Sequence, residues 1–154
     1  MRGKKATKRK IQPEVKYNSV LAAKFINNMM RSGKKTVSRG IFLGALEIVG
    51  KELNQEPYEI FEKAIQNCMP QMEVRSKRIG GANYQIPIPV EIDRSQALAM
   101  KWIISFARQR KGKDMVNKLA LEIIDASNKT GGAIKKMEDT HKAAEANKAF
   151  SHYR

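Results

Sequence analysis

At 154 residues the chain has the size of one ordinary domain, long enough to bury roughly 68–70% of its unfolded surface. Apolar residues make up 42% of it, enough for a core, so the chain is not simply a disordered basic tail. Against that core stand 30 Lys and Arg with only 15 Asp and Glu; a net charge of +15 opposes compactness unless a polyanion binds, which points first to nucleic acid and second to an anionic membrane surface.

Residues 1–18 read as a basic arm. MRGKKATKRK places six Lys/Arg in ten positions, with no acid before Glu14, and such a segment stays disordered until it is bound. From Ser19 the pattern turns helical: Leu21, Phe25 and Met29 recur at four-residue spacing, and Gly33 offers a stop. A second helix is expected from about Lys35 to Leu53, with Val37, Ile41, Ala45, Ile48 and Val49 on its stripe and Gly40 and Gly44 at a spacing that marks close helix packing. Pro57 suits the first turn of a third helix, with Ile60, Phe61, Ala64, Ile65 and Cys68 on one face and Pro70 limiting it. Cys68, the single cysteine, excludes an internal disulfide framework, reads as a small buried hydrophobe and fits a reducing compartment.

The stretch VRSKRIGGANYQIPIPV then reads as a hairpin turning at Gly80-Gly81, with three basic residues in its first half and no charge in its second. Alternation puts Arg75 and Lys77 on one face, and Tyr84, Ile86, Ile88 and Val90 on one face of the second strand. Pro87 and Pro89 stand two apart, so their missing N–H groups point to one side, which only a sheet edge tolerates. Asp93 with Gln96 resembles a capping signal for a fourth helix carrying Leu98, Trp102 and Phe106. The basic break RQRKGK leads to Asp114, an N-cap for a fifth helix with Val116, Leu119, Ala120, Ile123 and Ile124. After SNKTGG a last helix starts at about Ala133 with a thin stripe, Ile134, Met137, His141 and Ala144, suited to lying on the surface. The expected fold is mainly α: a bundle of about six helices with one protruding two-stranded β-hairpin at about 72–90 within residues 19–154, preceded by the disordered basic N-terminal arm of residues 1–18.

The cations cluster in the arm, around Arg31, Lys34, Lys35 and Arg39, on the first hairpin strand, and at Arg108, Arg110, Lys111 and Lys113, whereas the span from Glu47 to Lys63 holds five acids and two bases. Several separate basic segments set against one acidic span imply a single face turned toward RNA or DNA. Catalytic residues are scarce: His141 and His152 are the only histidines, no Cys/His cluster has zinc spacing, and no glycine-rich phosphate loop is present. An enzyme, a metal site and a cofactor are therefore not expected. No run of 18 apolar residues and no signal-type segment occurs, so no membrane partner and a cytoplasmic location are expected. A DNA-binding or architectural protein is the alternative reading, although a wedge between base steps would want its prolines near the hairpin tip, and Pro87 and Pro89 lie well back.

Four segments, KYNSVLAAKFINNMMRSGKK, VRSKRIGGANYQIPIPV, ALAMKW and HKAAEANKAFSHYR, together resemble the bacterial-type small-subunit ribosomal protein S-seven family, in the family's order and over nearly the whole chain. The resemblance implies a structural protein that binds the 3′ major domain of small-subunit rRNA, nucleates assembly of the subunit head, and lies near the messenger exit channel and the transfer-RNA exit site. It implies as partners rRNA, exit-site transfer RNA, messenger RNA nearby, and small-subunit proteins nine and eleven of the bacterial scheme. Carried onto this chain, it implies rRNA contacts at Arg2, Lys4, Lys5, Lys8, Arg9, Lys10, Lys34, Lys35, Arg75, Lys77, Arg78, Arg108, Arg110 and Lys111. Gly80, Gly81, Ala82 and Asn83 would form the tip near transfer RNA, and the C-terminal Lys148, His152, Tyr153 and Arg154 fall in the matched run.

Overall fold

The computed structural model describes residue 3, residues 9–112 and residues 114–153. Among the described residues the order is α1 (Val20–Met29), α2 (Lys35–Leu53), α3 (Pro57–Cys68), β1 (Met72–Ile79), β2 (Ala82–Pro89), α4 (Ile92–Gln109), α5 (Met115–Ser127), α6 (Gly131–Ala146) and a 3-10 helix at Lys148–Tyr153. The mainly α fold with one antiparallel hairpin is as expected; the closing 3-10 helix is an addition.

Local chemistry explains most boundaries. Ser19 is extended and caps α1, its Oγ accepting from the Ala22 N–H at 3.2 Å, and its hydroxyl also shares a 2.6 Å hydrogen bond with the Tyr58 hydroxyl that ties α1 to α3. Asp114 caps α5 by accepting from the Asn117 N–H, and Pro57 sits in the first turn of α3. α4 differs from the expected start: its N-cap is Glu91, because the chain leaves the hairpin and turns helical at once. Asp93 falls inside the first turn, where a carboxylate still faces the positive end of the helix.

Rings from three helices form the middle of the core. Phe25, Phe42 and Phe61 are fully buried with centroids 5.1–5.4 Å apart, the Phe61 ring meeting the other two edge-on. The buried face of α2 is Ser38, Phe42, Ala45, Leu46 and Val49, one step around from the expected stripe, while Val37 is exposed. A serine survives there because its Oγ donates to the Ile26 carbonyl at 2.8 Å. Of the two glycines, Gly44 alone marks close packing: a Cβ there would lie 3.1 Å from Val116 of α5, whereas Gly40 faces open space. In α4 the innermost residues are Ala99, Met100, Ile103, Ile104 and Ala107, with Leu98, Trp102 and Phe106 half-buried beside them, because α4 packs against α1, α3, α5 and α6 at once.

The folded body begins ahead of Ser19, inside the stretch assigned to the arm. Glu14 is buried, pairs across the backbone with Ser19, accepts from the Tyr17 N–H at 3.0 Å and takes two hydrogen bonds from the Arg39 guanidinium at 2.8 and 3.1 Å. Burial pushes the Cys68 thiol up to about 12, with the Glu122 charge adding to the effect, so the sulfur is neutral and shielded.

Phe61→Ala is expected to lower the unfolding free energy by about 3–5 kcal/mol, read from urea denaturation with an unchanged slope. Iodoacetamide should modify Cys68 only in denaturant; labelling of the native chain at the rate of a free thiol would contradict its burial.

Candidate nucleic-acid interface

Three adjoining hollows, neighbours sharing lining residues, form a groove between α1 and α4 and on toward α2. Its first part, about 520 Å³, is lined by Arg9, Lys24, Asn28 and Gln96 among others. The second, about 640 Å³, shares Asn28 and Ala97 with it and adds Arg31, Lys101 and Arg108. The third, about 320 Å³, shares Arg31 and Arg108 and reaches Lys34. Asp93 is the one acid lining these parts among the described residues. Arg108 is held in place by donating to the Met29 carbonyl at 2.7 Å, the last residue of α1. Burial lowers its pKa, and repulsion from Arg31 lowers it further. Arg31 and Arg108 line the same two parts of the groove, where two like charges favour an anion.

The residues expected from sequence fall in different places. Arg9, Lys34 and Arg108 line this groove, and Lys10, Lys35 and Lys111 are exposed near chain turns. Arg2, Lys4, Lys5 and Lys8 lie outside the described residues, as do Lys113 and Arg154. Arg110 is half-buried and turned toward the body: its Nε donates to the buried Glu122 carboxylate at 2.8 Å and its Nη2 to Asp125. Burial works to lower its pKa, but these hydrogen bonds and charges outweigh it and raise the value. Glu122 also accepts from the Ala133 N–H at 3.1 Å, so this one carboxylate joins the α4–α5 connection to the start of α6. Lys24 and Lys101 stand alone on helices rather than in charge runs, and a helical-face count of cations on α1 and α4 finds them; Asn28 is neutral, and only the fold brings it to the groove.

The hairpin turns at Gly80 and Gly81, both at positive φ (+56° and +90°), as a two-residue turn between Ile79 and Ala82 requires. Val90 N–H donates to Gln71 at 3.0 Å, and alternation from there makes Val74–Pro87 and Met72–Pro89 non-hydrogen-bonded pairs. Both prolines therefore turn their missing donors to the outer edge, and the 3-10 helix packs against β2, where Pro87 is buried. Arg75 and Lys77 share a face, opposite Ile86 and Tyr84, and Arg78 stands on the other face. At its base the ribbon is fixed by Arg94, which grips Glu73 through two hydrogen bonds of 2.7 and 2.8 Å, and by the Gln71 N–H donating to His141 Nε2 at 2.9 Å.

A helical body with a cationic groove and a braced basic ribbon defines the class of structural, polyanion-facing proteins. Among the described residues no group of His, Cys, Asp and Glu could hold a metal ion, and no helix is long and apolar enough to cross a membrane. The model of the family described as ribosomal protein S7p/S5e matches residues 1–148. The small ribosomal subunit protein uS7 of Natranaerobius thermophilus is 56% identical over 149 residues, 97% of this chain and 96% of that protein. Its counterpart in Syntrophobacter fumaroxidans is 51% identical over 153 residues, 99% and 98% of the two chains. The chain belongs to the ribosomal protein S7p/S5e family, a family of structural, non-enzymatic proteins.

Arg110 and the groove cations should separate in experiment. Arg110→Ala, which strands the buried Glu122 carboxylate, is expected to lower stability by about 3 kcal/mol while leaving the salt dependence of RNA binding unchanged. Arg31→Ala and Lys101→Ala should leave the urea midpoint near wild type and each reduce the slope of log K against log salt by about one.

Proposed function

We propose that this protein is a structural rRNA-binding component of the small ribosomal subunit, seated on the 3′ major domain of the rRNA, where it nucleates assembly of the head. The α1–α4 groove receives the phosphate backbone, with Arg9, Lys24, Arg31, Lys101 and Arg108 as its cations. Residues Arg75, Lys77 and Arg78 continue the contact along the ribbon, and the tip at Gly80, Gly81, Ala82 and Asn83 approaches exit-site transfer RNA close to the messenger exit channel. The protein works in the cytoplasm within the subunit, beside small-subunit proteins nine and eleven. The observation that carries this reading is that Arg9, Lys24, Arg31, Lys101 and Arg108, from distant parts of the chain, line one face, with Asp93 the one acid lining it among the described residues.

The test is a competition between the 3′ domain of small-subunit rRNA and duplex DNA of equal charge at physiological salt. A clear preference for the rRNA is expected; equal affinity would overturn the proposal in favour of a general DNA-binding role. With ~6–10 phosphates contacted, rRNA affinity should fall by about 10³–10⁵ between about 50 and 200 mM salt. Deleting residues 1–10 should weaken binding and flatten that dependence; an unchanged slope would mean that the arm touches no phosphate.

A further inference from the structure

We infer that Glu14, an acid at the root of the basic arm, is the positioning residue that delivers the arm's cations to the groove. Its Oε1 takes both hydrogen bonds from the Arg39 guanidinium, and its Oε2 accepts from the Tyr17 N–H. The Glu14 N–H donates to the Ser19 carbonyl at 2.9 Å, and Asn18 turns through φ 45°, a region that asparagine tolerates. The chain therefore reverses direction between Glu14 and Ser19, and the segment ahead of Glu14 runs back alongside α1. Gln12 and Pro13 share a hollow of about 180 Å³ with Ala23 and Ile26. Further along, Arg9 and Ile11 line the groove with Lys24, Asn27 and Asn28.

Residues 9–13 are all exposed, and Glu14 is the first buried residue among those described, so the path of this segment is set at the turn and not by burial of its own side chains. The turn is held from its other side as well. Lys16 pairs with Glu47 at 3.4 Å, and Tyr17 stacks on Tyr58 with ring centroids 5.3 Å apart. An acid repels the polyanion that the rest of the surface attracts. Here the carboxylate is buried against Arg39, and what it contributes is direction. With the turn fixed, Arg9 stands at the groove before any ligand arrives, which reduces the ordering cost of binding. Chain connectivity tethers the cations ahead of Arg9 at the same place, so they meet a phosphate strand at high effective concentration. The inference rests on the reading of the chain as an RNA-binding protein and assigns to it a residue that itself touches no RNA.

Charge and position predict opposite signs for Glu14→Gln. Removing a negative charge should, by electrostatics alone, tighten binding to the rRNA 3′ domain. Loss of the clasp should instead weaken it about 5- to 10-fold and reduce the salt slope by about one to two, as Arg9 and Lys10 leave the phosphate track. In a chain lacking residues 1–10 the same substitution should no longer weaken binding, because the cations it positions are gone. Affinity unchanged or tightened in the full chain, or weakened equally in the truncated one, overturns the positioning role. A second measurement uses the free protein. A nitroxide on Lys10→Cys, with Cys68 buried and unreactive, should broaden the amide signals of Asn28 and Gln96 while Glu14 is in place, and Glu14→Gln should sharpen them. Signals that are sharp with Glu14 present, or equally broad without it, also overturn the role. Normal rRNA binding with no effect of Glu14→Gln removes the positioning role alone, whereas no rRNA binding by the native chain overturns the RNA reading itself.

Discussion

Two buried carboxylates decide which of this protein's many cations belong to the fold and which remain for a ligand. A buried carboxylate far from a partner is expensive, so Glu14 and Glu122 each hold a guanidinium. Glu14 takes Arg39 and closes the N-terminal segment onto α1 and α2. Glu122 takes Arg110 and, through the Ala133 N–H, links the α4–α5 connection to the first turn of α6. The net charge of +15 already counts both of these acids, so the two pairs leave the whole excess of cations without an acid to match it. Five of the acids are gathered on the second half of α2 and on the N-terminal side of α3, while Asp93 is the one acid lining the α1–α4 groove among the described residues.

The same division of labour holds for the aromatic residues. Phe25, Phe42 and Phe61 lock α1, α2 and α3 together, and α5 packs against α2, α3 and α4, so the body is a bundle with one continuous core. Tyr84, Phe150 and Tyr153 form a second, outlying cluster whose task is to brace a ribbon that could not stand alone. Together with the Arg94–Glu73 clamp and the His141 acceptor, this cluster supports the hairpin at its base and along β2, leaving the tip exposed. A surface meant to meet a large, rigid polyanion benefits from such bracing, because each element held in place beforehand need not be ordered on binding.

Much of the fold was legible in one dimension because its signals are local. Ser19, Pro57, Asp114 and the Gly80-Gly81 turn act through their own backbone within a few residues, and each marks its element where the sequence predicts. The prolines of β2 likewise specify an edge from their spacing alone. The stripe on α2 was misplaced by one step because Ser38 looks polar in sequence; its acceptor, the Ile26 carbonyl, sits on another helix. α4 was read through its large residues, yet contact with four other helices gives it a broad buried face centred on Ala99, Ile103 and Ala107.

Composition and periodicity by themselves determined a basic, mainly helical domain with a projecting hairpin, and the matching segments determined its family. Tertiary structure alone decided the fate of individual cations. Arg108 and Arg110 are two positions apart in one basic run, yet the first reaches the Met29 carbonyl and lines the groove with Arg31, while the second turns inward to Glu122 and Asp125. Lys24 and Lys101, 77 positions apart and unremarkable in sequence, come to line one groove. The reason is that a local run reports charge density along the chain, whereas desolvation and pairing depend on which distant acids and carbonyls the fold brings within a few ångströms.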